Sequence, residues 1–507
     1  MKNLFYLLCL LLVSCLHEKN ENPNIILFMV DDLGWQDTSV PFWSQETEFN
    51  RLYNTPNMEK LANMGVKFTN AYATPVCSPT RISLMTGMNS VNHRVTNWTL
   101  RPNVKKPAEI NHKEFEFPDW NYNGLSTIAG VNNTVYATSL PQILKDNGYY
   151  TIHAGKAHFG AISFPSADPS NIGFDINIAG HAAGAPQSYL GIENFGNGDK
   201  KNKIWAVPGL EKYHGQDIFL TEAITQEILY SLNKPRKLNI PYFLYFSLYN
   251  VHTPLKEDKR FSEKYKDLGL HPAEIKYASM IESMDYALGS ILNNISANNE
   301  LDNTVIIFMS DNGGLSAVAR GGEKHTHNWP LKSGKGSIYE GGIRVPMIVY
   351  DPNAIFNGRE IDKPLIIEDF FPSILDFANI EKYKTVQKID GKTFKPILYN
   401  QDVDSKPLIW HYPNWWGPSG PGIGSYSAIR DGKWKLIYSH DKLELELYNL
   451  EEDIFEKNNL VSENIKVTRE LTQKLTDYLI KNNAQMPLLK KTSLQIDWPN
   501  SLLKIKP

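Results

Sequence analysis

Short unbroken runs of apolar residues mark the buried strands of this chain. Ile25 to Val30 in "NPNIILFMVDDLGW" leads into Asp31 and Asp32, and Val305 to Met309 in "NTVIIFMSDNGG" leads into Asp311 and Asn312. Such runs, bounded by polar turn residues, fit strands covered on both faces. Two more strands are expected over "PYFLYFSLYNVHTP", ending near His252, and over "YTIHAGKAHFG", ending near Lys156 and His158. Between them the apolar period lengthens to that of a helix in "TPNMEKLANMG", "TSLPQILKDNG", "DIFLTEAITQEILYSL", "EIKYASMIESMDYALGSILNNI" and "IEDFFPSILDFANI". Strands alternating with helices predict an α/β fold, a mostly parallel sheet sandwiched by helices. After "DGKTFKPIL" the pattern changes to consecutive strand-like runs, "PLIWHYP", "YSAIRDGKWKLIYS" and "ELELYNL", and then an amphipathic helix from Asn464 to Asn483. That predicts a smaller C-terminal α+β unit, an antiparallel sheet plus a helix. With a boundary near residues 390–400, the chain divides into a larger unit over 24–395 and a smaller one over 396–507.

Composition narrows the function classes. The 507 residues are 42% hydrophobic and 21% charged, ordinary values for a globular chain with room for more than one core. A net charge of −3 and the absence of long like-charge runs leave no electrostatic footprint for nucleic acid.

The N-terminus changes the meaning of the cysteines. "MKNLFYLLCLLLVSC" has a lysine, an apolar run too short to span a bilayer and a small residue before Cys15, the layout of a secretory signal over residues 1–15. "LVSC" also resembles a bacterial lipobox, in which the cysteine carries lipid. Residues 16–23 then read as a polar tether, and the expected location is that of an exported lipoprotein, periplasmic or at the cell surface, meeting the membrane only through its anchor. Of three cysteines, Cys9 and Cys15 belong to the leader and anchor, so the mature body keeps Cys77 alone and has no internal disulfide. "TPVCSPTRISLMTG" reads as a helix start, with Pro79 in the first turn and Arg81 on the next. A helix N-terminus and an arginine both favour an anion at position 77.

The two strand ends supply Asp31, Asp32, Asp311 and the amide of Asn312, an all-oxygen set suited to a hard divalent cation such as Ca²⁺, or Mg²⁺. Lys156 and His158 in "HAGKAHFG", His252 in "NVHTP", and Lys332 and Lys335 in "LKSGKGSIYEGGIRVP" add cations. Together with a metal they can surround a tetrahedral oxyanion.

In this order, Cys-x-Pro-x-Arg at Cys77 to Arg81, the Asp31/Asp32 pair, "GKAHFG", "HTP", "SDNGG" and "GKGSIYEGGIRVP" resemble the formylglycine-dependent sulfatases of the alkaline phosphatase-like superfamily, from residue 24 to beyond 450. The resemblance implies that a maturation enzyme oxidises Cys77 to Cα-formylglycine, whose hydrate is the nucleophile. It implies that Asp31, Asp32, Asp311 and Asn312 hold the metal, usually Ca²⁺, with the modified Cys77 completing the sphere. It further implies that Arg81 holds the hydrate, that Lys156 and Lys335 bind sulfate, that His158 takes the hydrate's proton and that His252 protonates the leaving alcohol. Lys332 occupies a position that is often basic, and a further polar residue is expected from "NIAGHAAGAPQSY", either His181 or Ser188.

Loops rich in Trp, His, Arg and Tyr, "NHRVTNWTLRPN", "FPDWNYNG", "GGEKHTHNW" and "YPNWWGPSGPG", suit either a carbohydrate cleft or packing between the two units. The expected substrate is a sulfated polysaccharide or oligosaccharide. Two rivals use the same fold: a phosphatase or phosphonate monoester hydrolase, and a non-catalytic glycan-binding lipoprotein. "SDNGG" carries an amide where di-zinc phosphatases typically place histidine. A pure binder has no need of the proton donors and acceptors kept at positions 158 and 252.

Overall fold

The computed structural model describes residues 22–105, 112–198, 203–316, 327–355, 357–417 and 420–504. The leader with Cys9 and Cys15, and the tether up to residue 21, lie outside the described residues. Within them no helix is long and apolar enough to cross a membrane.

A nine-stranded sheet forms the centre. Its strands are β1 (Asn24–Val30), β2 (Val66–Tyr72), β3 (Tyr150–Gly155), β4 (Ile176–Ile178), β5 (Tyr242–Ser247), β6 (Thr304–Ser310), β7 (Arg344–Tyr350), β8 (Arg359–Ile361) and β9 (Leu365–Ile366). They lie in the order β8-β2-β7-β6-β1-β5-β3-β4, with β9 also beside β2. β1 is flanked by parallel β5 and β6, and β7 runs antiparallel to both β2 and β6. The sheet is thus mostly parallel, as expected. The pattern of apolar residues had not revealed β2 or β7, nor the short strands β4, β8 and β9.

Why β1 is apolar throughout follows from what covers each face. Ile25, Leu27 and Met29 point into one cluster, with α2 (Cys77–Thr86), α3 (Leu140–Asp146) and α6 (Phe370–Phe377). Ile26, Phe28 and Val30 point into the other, with α1 (Pro56–Met64), α4 (Leu220–Ser231) and α5 (Pro272–Ala297). Successive side chains alternate between two dry faces, so neither parity can be polar. Each such side chain contributes about 1.5–3 kcal/mol by leaving water.

The C-terminal unit is an antiparallel meander of β10 (Leu408–Tyr412), β11 (Tyr426–Asp431), β12 (Trp434–Ser439) and β13 (Glu444–Asn449), in that order. On one face Ile409, Ile429, Leu436 and Leu447 meet Leu471, Leu475 and Leu479 of α7 (Ile465–Lys481). On the other, Leu408, Trp410, Ala428 and Ile437 join the cluster under α2 and α6. The core therefore runs across the segment near 390–400, and the meander is welded to the larger unit.

Candidate active site

The carboxyl ends of the parallel strands meet the start of α2. Asp31 and Asp32 follow β1, Asp311 and Asn312 follow β6, and Lys156 follows β3. Sites on open α/β sheets gather at this edge. His252 stands on the loop beyond β5, five residues after its last residue, Ser247, so it is not at a strand end as the sequence suggested.

Three buried carboxylates face three buried cations. Lys156 Nζ donates to Asp31 Oδ2 at 2.7 Å, Lys335 Nζ to Asp32 Oδ1 at 2.5 Å, and Arg81 to Asp311 Oδ2 at 2.7 and 3.0 Å. Burial works against the Asp32 carboxylate, but Lys335, His252 and Lys156 together outweigh it and hold the group below the usual range. The contact with Asp32 holds Lys335 above the ordinary lysine range although burial opposes it. Asp31 goes the other way, because burial and the charge of Asp311 exceed the pull of Lys156.

The oxygens left over suit the cation expected from the sequence. Asp31 Oδ1, Asp32 Oδ2 and Asn312 Oδ1 are buried and have no hydrogen-bond partner among the described residues. An unpartnered buried oxygen is costly, and three from the expected ligand set fit a hard divalent cation. The ligand atoms of Asp31, Asp32 and His252 also lie within 4.8 Å of one another, with His252 Nε2 3.7 Å from Asp32 Oδ2.

Cys77 is the first residue of α2, with Val76 as its N-cap. Its Sγ lies 3.2 Å from His158 Nδ1. On the other side of the ring, His158 Nε2 is 2.8 Å from the Thr99 carbonyl and must be the protonated nitrogen, which leaves Nδ1 an acceptor aimed at position 77. Burial, with Lys156 adding to it, keeps this imidazole neutral, well below its ordinary pKa. The thiol itself favours its neutral form. Burial pushes the Cys77 thiol up, more than Lys156 and Lys335 pull it down. Arg81 is likewise engaged elsewhere. Besides Asp311, its guanidinium donates to the Lys156 carbonyl at 2.9 Å, to Tyr245 at 3.3 Å and to Ser247, so it acts on position 77 through its charge.

His252 donates from Nδ1 to the Thr253 carbonyl at 2.7 Å, so Nε2 carries the lone pair. Burial, followed by Lys335, pushes its pKa down to about 3. A cavity of about 630 Å³ opens over these groups, lined by Cys77, His158, His252 and Lys335, with Trp98, Trp205 and Trp416 among its walls. Trp416 faces Lys335 across 5.7 Å and lies against Gly336, where a Cβ would come within 2.2 Å of the indole.

The remaining expectations divide. Lys332 does not line the cavity. Its Nζ turns into the C-terminal unit, to Tyr448 Oη at 3.3 Å and the Glu456 carbonyl at 3.1 Å. His181 does not line it either: its ring packs near Tyr249, and its carbonyl accepts the His158 N–H at 3.3 Å. Ser188 donates to Glu193 instead. What that loop gives the cavity is the stretch from Gly184 to Gln187. The tryptophan-rich loops divide between the cavity and packing. Trp98 and Trp416 line the cavity, Trp120 is core, and Trp329 stacks edge-on against Trp43 and Phe455. Trp205 was missed, and nothing in its local sequence marks it.

Comparison with known proteins agrees with this geometry. A family model described as Sulfatase matches residues 23–380, and one described as N-sulphoglucosamine sulphohydrolase, C-terminal, matches residues 327–485. A protein named Sulfatase from Formosa agariphila is 28% identical over 95% of this chain and 93% of its own. Mouse N-acetylgalactosamine-6-sulfatase is 29% identical over 77% of this chain and 69% of its own. The crystal structure of Ps i-CgsB in complex with k-i-k-neocarrahexaose superposes with a TM-score of 0.71 at 25% identity, covering 95% of this chain and 96% of that one. The family model spans most of the chain, and the chain belongs to the sulfatase family, a hydrolase of sulfuric esters of the alkaline phosphatase-like superfamily.

Proposed function

We propose that this sulfatase is an exported, lipid-anchored enzyme that removes sulfate from a sulfated polysaccharide or oligosaccharide through a formylglycine made from Cys77. The observation that carries the reading is the Cys77 Sγ facing an acceptor nitrogen of His158 in a cavity that also holds Lys335 and His252. As its hydrate, the aldehyde would supply an oxygen nucleophile that can let sulfate go by re-forming the carbonyl, an exit a cysteine sulfur lacks. A bound Ca²⁺, held by Asp31, Asp32, Asp311 and Asn312, would supply Lewis-acid polarisation of the sulfate.

The side chains divide the remaining work. Lys156 and Lys335 present ammonium groups to sulfate oxygens and stabilise charge that develops as the ester bond breaks. His158 Nδ1 accepts a proton from the group at position 77, its tautomer fixed by Thr99. His252 Nε2, which carries the lone pair, faces the leaving oxygen and would protonate it once the ring has taken up a proton, an uptake that Asp32 Oδ2 at 3.7 Å favours against burial and Lys335. Trp98, Trp205 and Trp416 offer flat apolar faces to sugar rings. The bound neocarrahexaose of Ps i-CgsB supports a carbohydrate substrate here.

The test is a release assay on protein co-produced with a formylglycine-generating enzyme, using sulfated oligosaccharides and matched phosphate esters, with mass spectrometry of the Cys77 peptide. Sulfate release that tracks conversion of Cys77 and is lost on chelation is the expected result. Complete conversion with phosphate release and no sulfate release would favour the phosphonate or phosphate ester reading. Lipid attachment is checked by metabolic labelling with a fatty acid, which Cys15→Ser should abolish.

A further inference from the structure

The turn that carries Lys335 is gripped from the C-terminal unit. Tyr339 Oη donates to both oxygens of Glu446 on β13, at 2.7 and 2.8 Å. Glu340 accepts from Lys435 Nζ of β12 at 2.8 Å, and its backbone N–H donates to Glu456 Oε2 at 2.8 Å. Lys435 also pairs with Glu456 Oε1 at 2.8 Å, and all three side chains are fully buried. The second oxygen of Glu340 takes the Tyr72 hydroxyl at 2.7 Å and Arg344 at 3.4 Å.

What holds Glu340 bears on Lys335, because the two glycines after Glu340 close on the turn before it. Gly342 donates to the Tyr339 carbonyl at 2.8 Å, and Gly341 to the Lys332 carbonyl at 3.0 Å. A Cβ on Gly341 would sit 2.5 Å from the carbonyl oxygens of Lys332 and Ser333, and one on Gly342 would sit 2.2 Å from that of Ser337. Residues 341 and 342 are thus pressed against both sides of the Lys335 turn. A buried ion cluster is a poor source of net stability compared with apolar packing, but it fixes direction. The direction fixed here is that of the turn whose lysine reaches Asp32 at 2.5 Å.

We propose that Lys435 is a positioning residue for the sulfatase reaction, acting through Glu340 to place Lys335. The inference rests on the reading of Lys335 as a sulfate ligand, and the experiment separates the two. Sulfate release by the matured enzyme is compared for wild type, Lys435→Met, Lys335→Ala and the double variant, each checked for folding by thermal denaturation. Lys435→Met alone is expected to lower kcat/KM at least tenfold. In the Lys335→Ala background the same change should cost less than threefold, because the group it places is gone. A loss of equal size in both backgrounds would overturn the proposal, since it would mean a general structural role. Unchanged turnover in Lys335→Ala would remove the reading of Lys335, and this proposal with it. Should Lys435→Met fail to fold, Glu340→Gln keeps the shape while weakening the ion pair. The same cycle with Glu340→Gln then decides, a smaller loss vanishing in the Lys335→Ala background being the supporting result.

Discussion

Gly184 leaves just enough room for the His158 imidazole. A Cβ at position 184 would lie 2.3 Å from Cε1 and 2.5 Å from Nδ1 of that ring, and the bond from Nε2 to Thr99 gives it little freedom to retreat. Gly184→Ala should therefore swing Nδ1 away from position 77. A misplacement of about 1 Å at a reacting group costs roughly 10²-fold in rate, whereas overpacking costs about 1–3 kcal/mol of stability. The expected outcome is a large fall in kcat with a modest fall in melting temperature, and an unchanged kcat would show that the ring is not held there. Lys335→Ala removes a charge aimed at the developing oxyanion, and kcat should fall by about 10²–10³-fold. The acids, cations and thiol gathered here were legible because they fall in one ordered set of motifs, although none stands out alone. Gly184 and Thr99 were not, since each matters through a ring that folding brings from elsewhere in the chain. Lys332 was misread for a related reason: a lysine in a glycine-rich turn looks the same whether it faces a cleft or a neighbouring sheet. Its true partners, Tyr448 and Glu456, lie more than a hundred residues away.

Among elements, β1 fixes most of the site, because its register delivers Asp31 and Asp32. Phe28 at its centre packs edge-on to Phe246 of β5 and stacks on Phe308 of β6, with centroids 5.0 and 5.6 Å apart. Phe28→Ala should cost about 3–5 kcal/mol through lost burial and the cavity left behind. The expected readout is a clear drop in the denaturation midpoint with an unchanged denaturant slope, and a shift under 1 kcal/mol would mean the three strands repack freely. β1 and β6 could be read from the sequence because both faces are dry and the whole run is apolar. β2 could not, because "VKFTNAY" interleaves Lys67, Thr69 and Asn70 with its apolar residues. β7 contains Pro346, which ordinarily argues against a strand. The structure accommodates it at a shift in register between Val345 and Met347, and β7 pairs with β6 only from Met347 onward. Local pattern therefore identified the long strands at the middle of the sheet and lost β2 and β7, with their irregular residues, and the two- or three-residue strands β4, β8 and β9.

Among the described residues, buried histidines outnumber the raised carboxylates that oppose them, which sets the direction of the response to acid. Burial lowers His93 and His153 to about 3 and His181 and His411 to about 4. His440 is also held well below its ordinary value. Each is neutral when folded and takes up a proton near pH 6.5 when unfolded, so its contribution is complete above that pH and is lost as pH falls toward the folded value. Asp31, raised well above its ordinary value, acts in the opposite sense, as do three further carboxylates. Burial raises Asp285 to about 6 and Glu368 and Glu456 to about 7, so their contribution is present at low pH and is lost as pH rises through those values. Between pH 6.5 and 5 the unfolded chain gains more protons at histidine than the folded chain holds at these acids. Each unit of pKa shift is worth about 1.4 kcal/mol, so the balance lowers stability with acid. His411 and His440 oppose each other's protonation: Ser427 Oγ bridges His411 Nδ1 and His440 Nε2 at 2.8 Å each, so charge on one buried ring is felt by the other. The melting temperature should fall by several degrees from pH 7 to pH 5. A flat or rising profile would mean that the buried carboxylates govern the balance. His411→Asn, which removes one titrating ring, should flatten the dependence even as it lowers stability at pH 7.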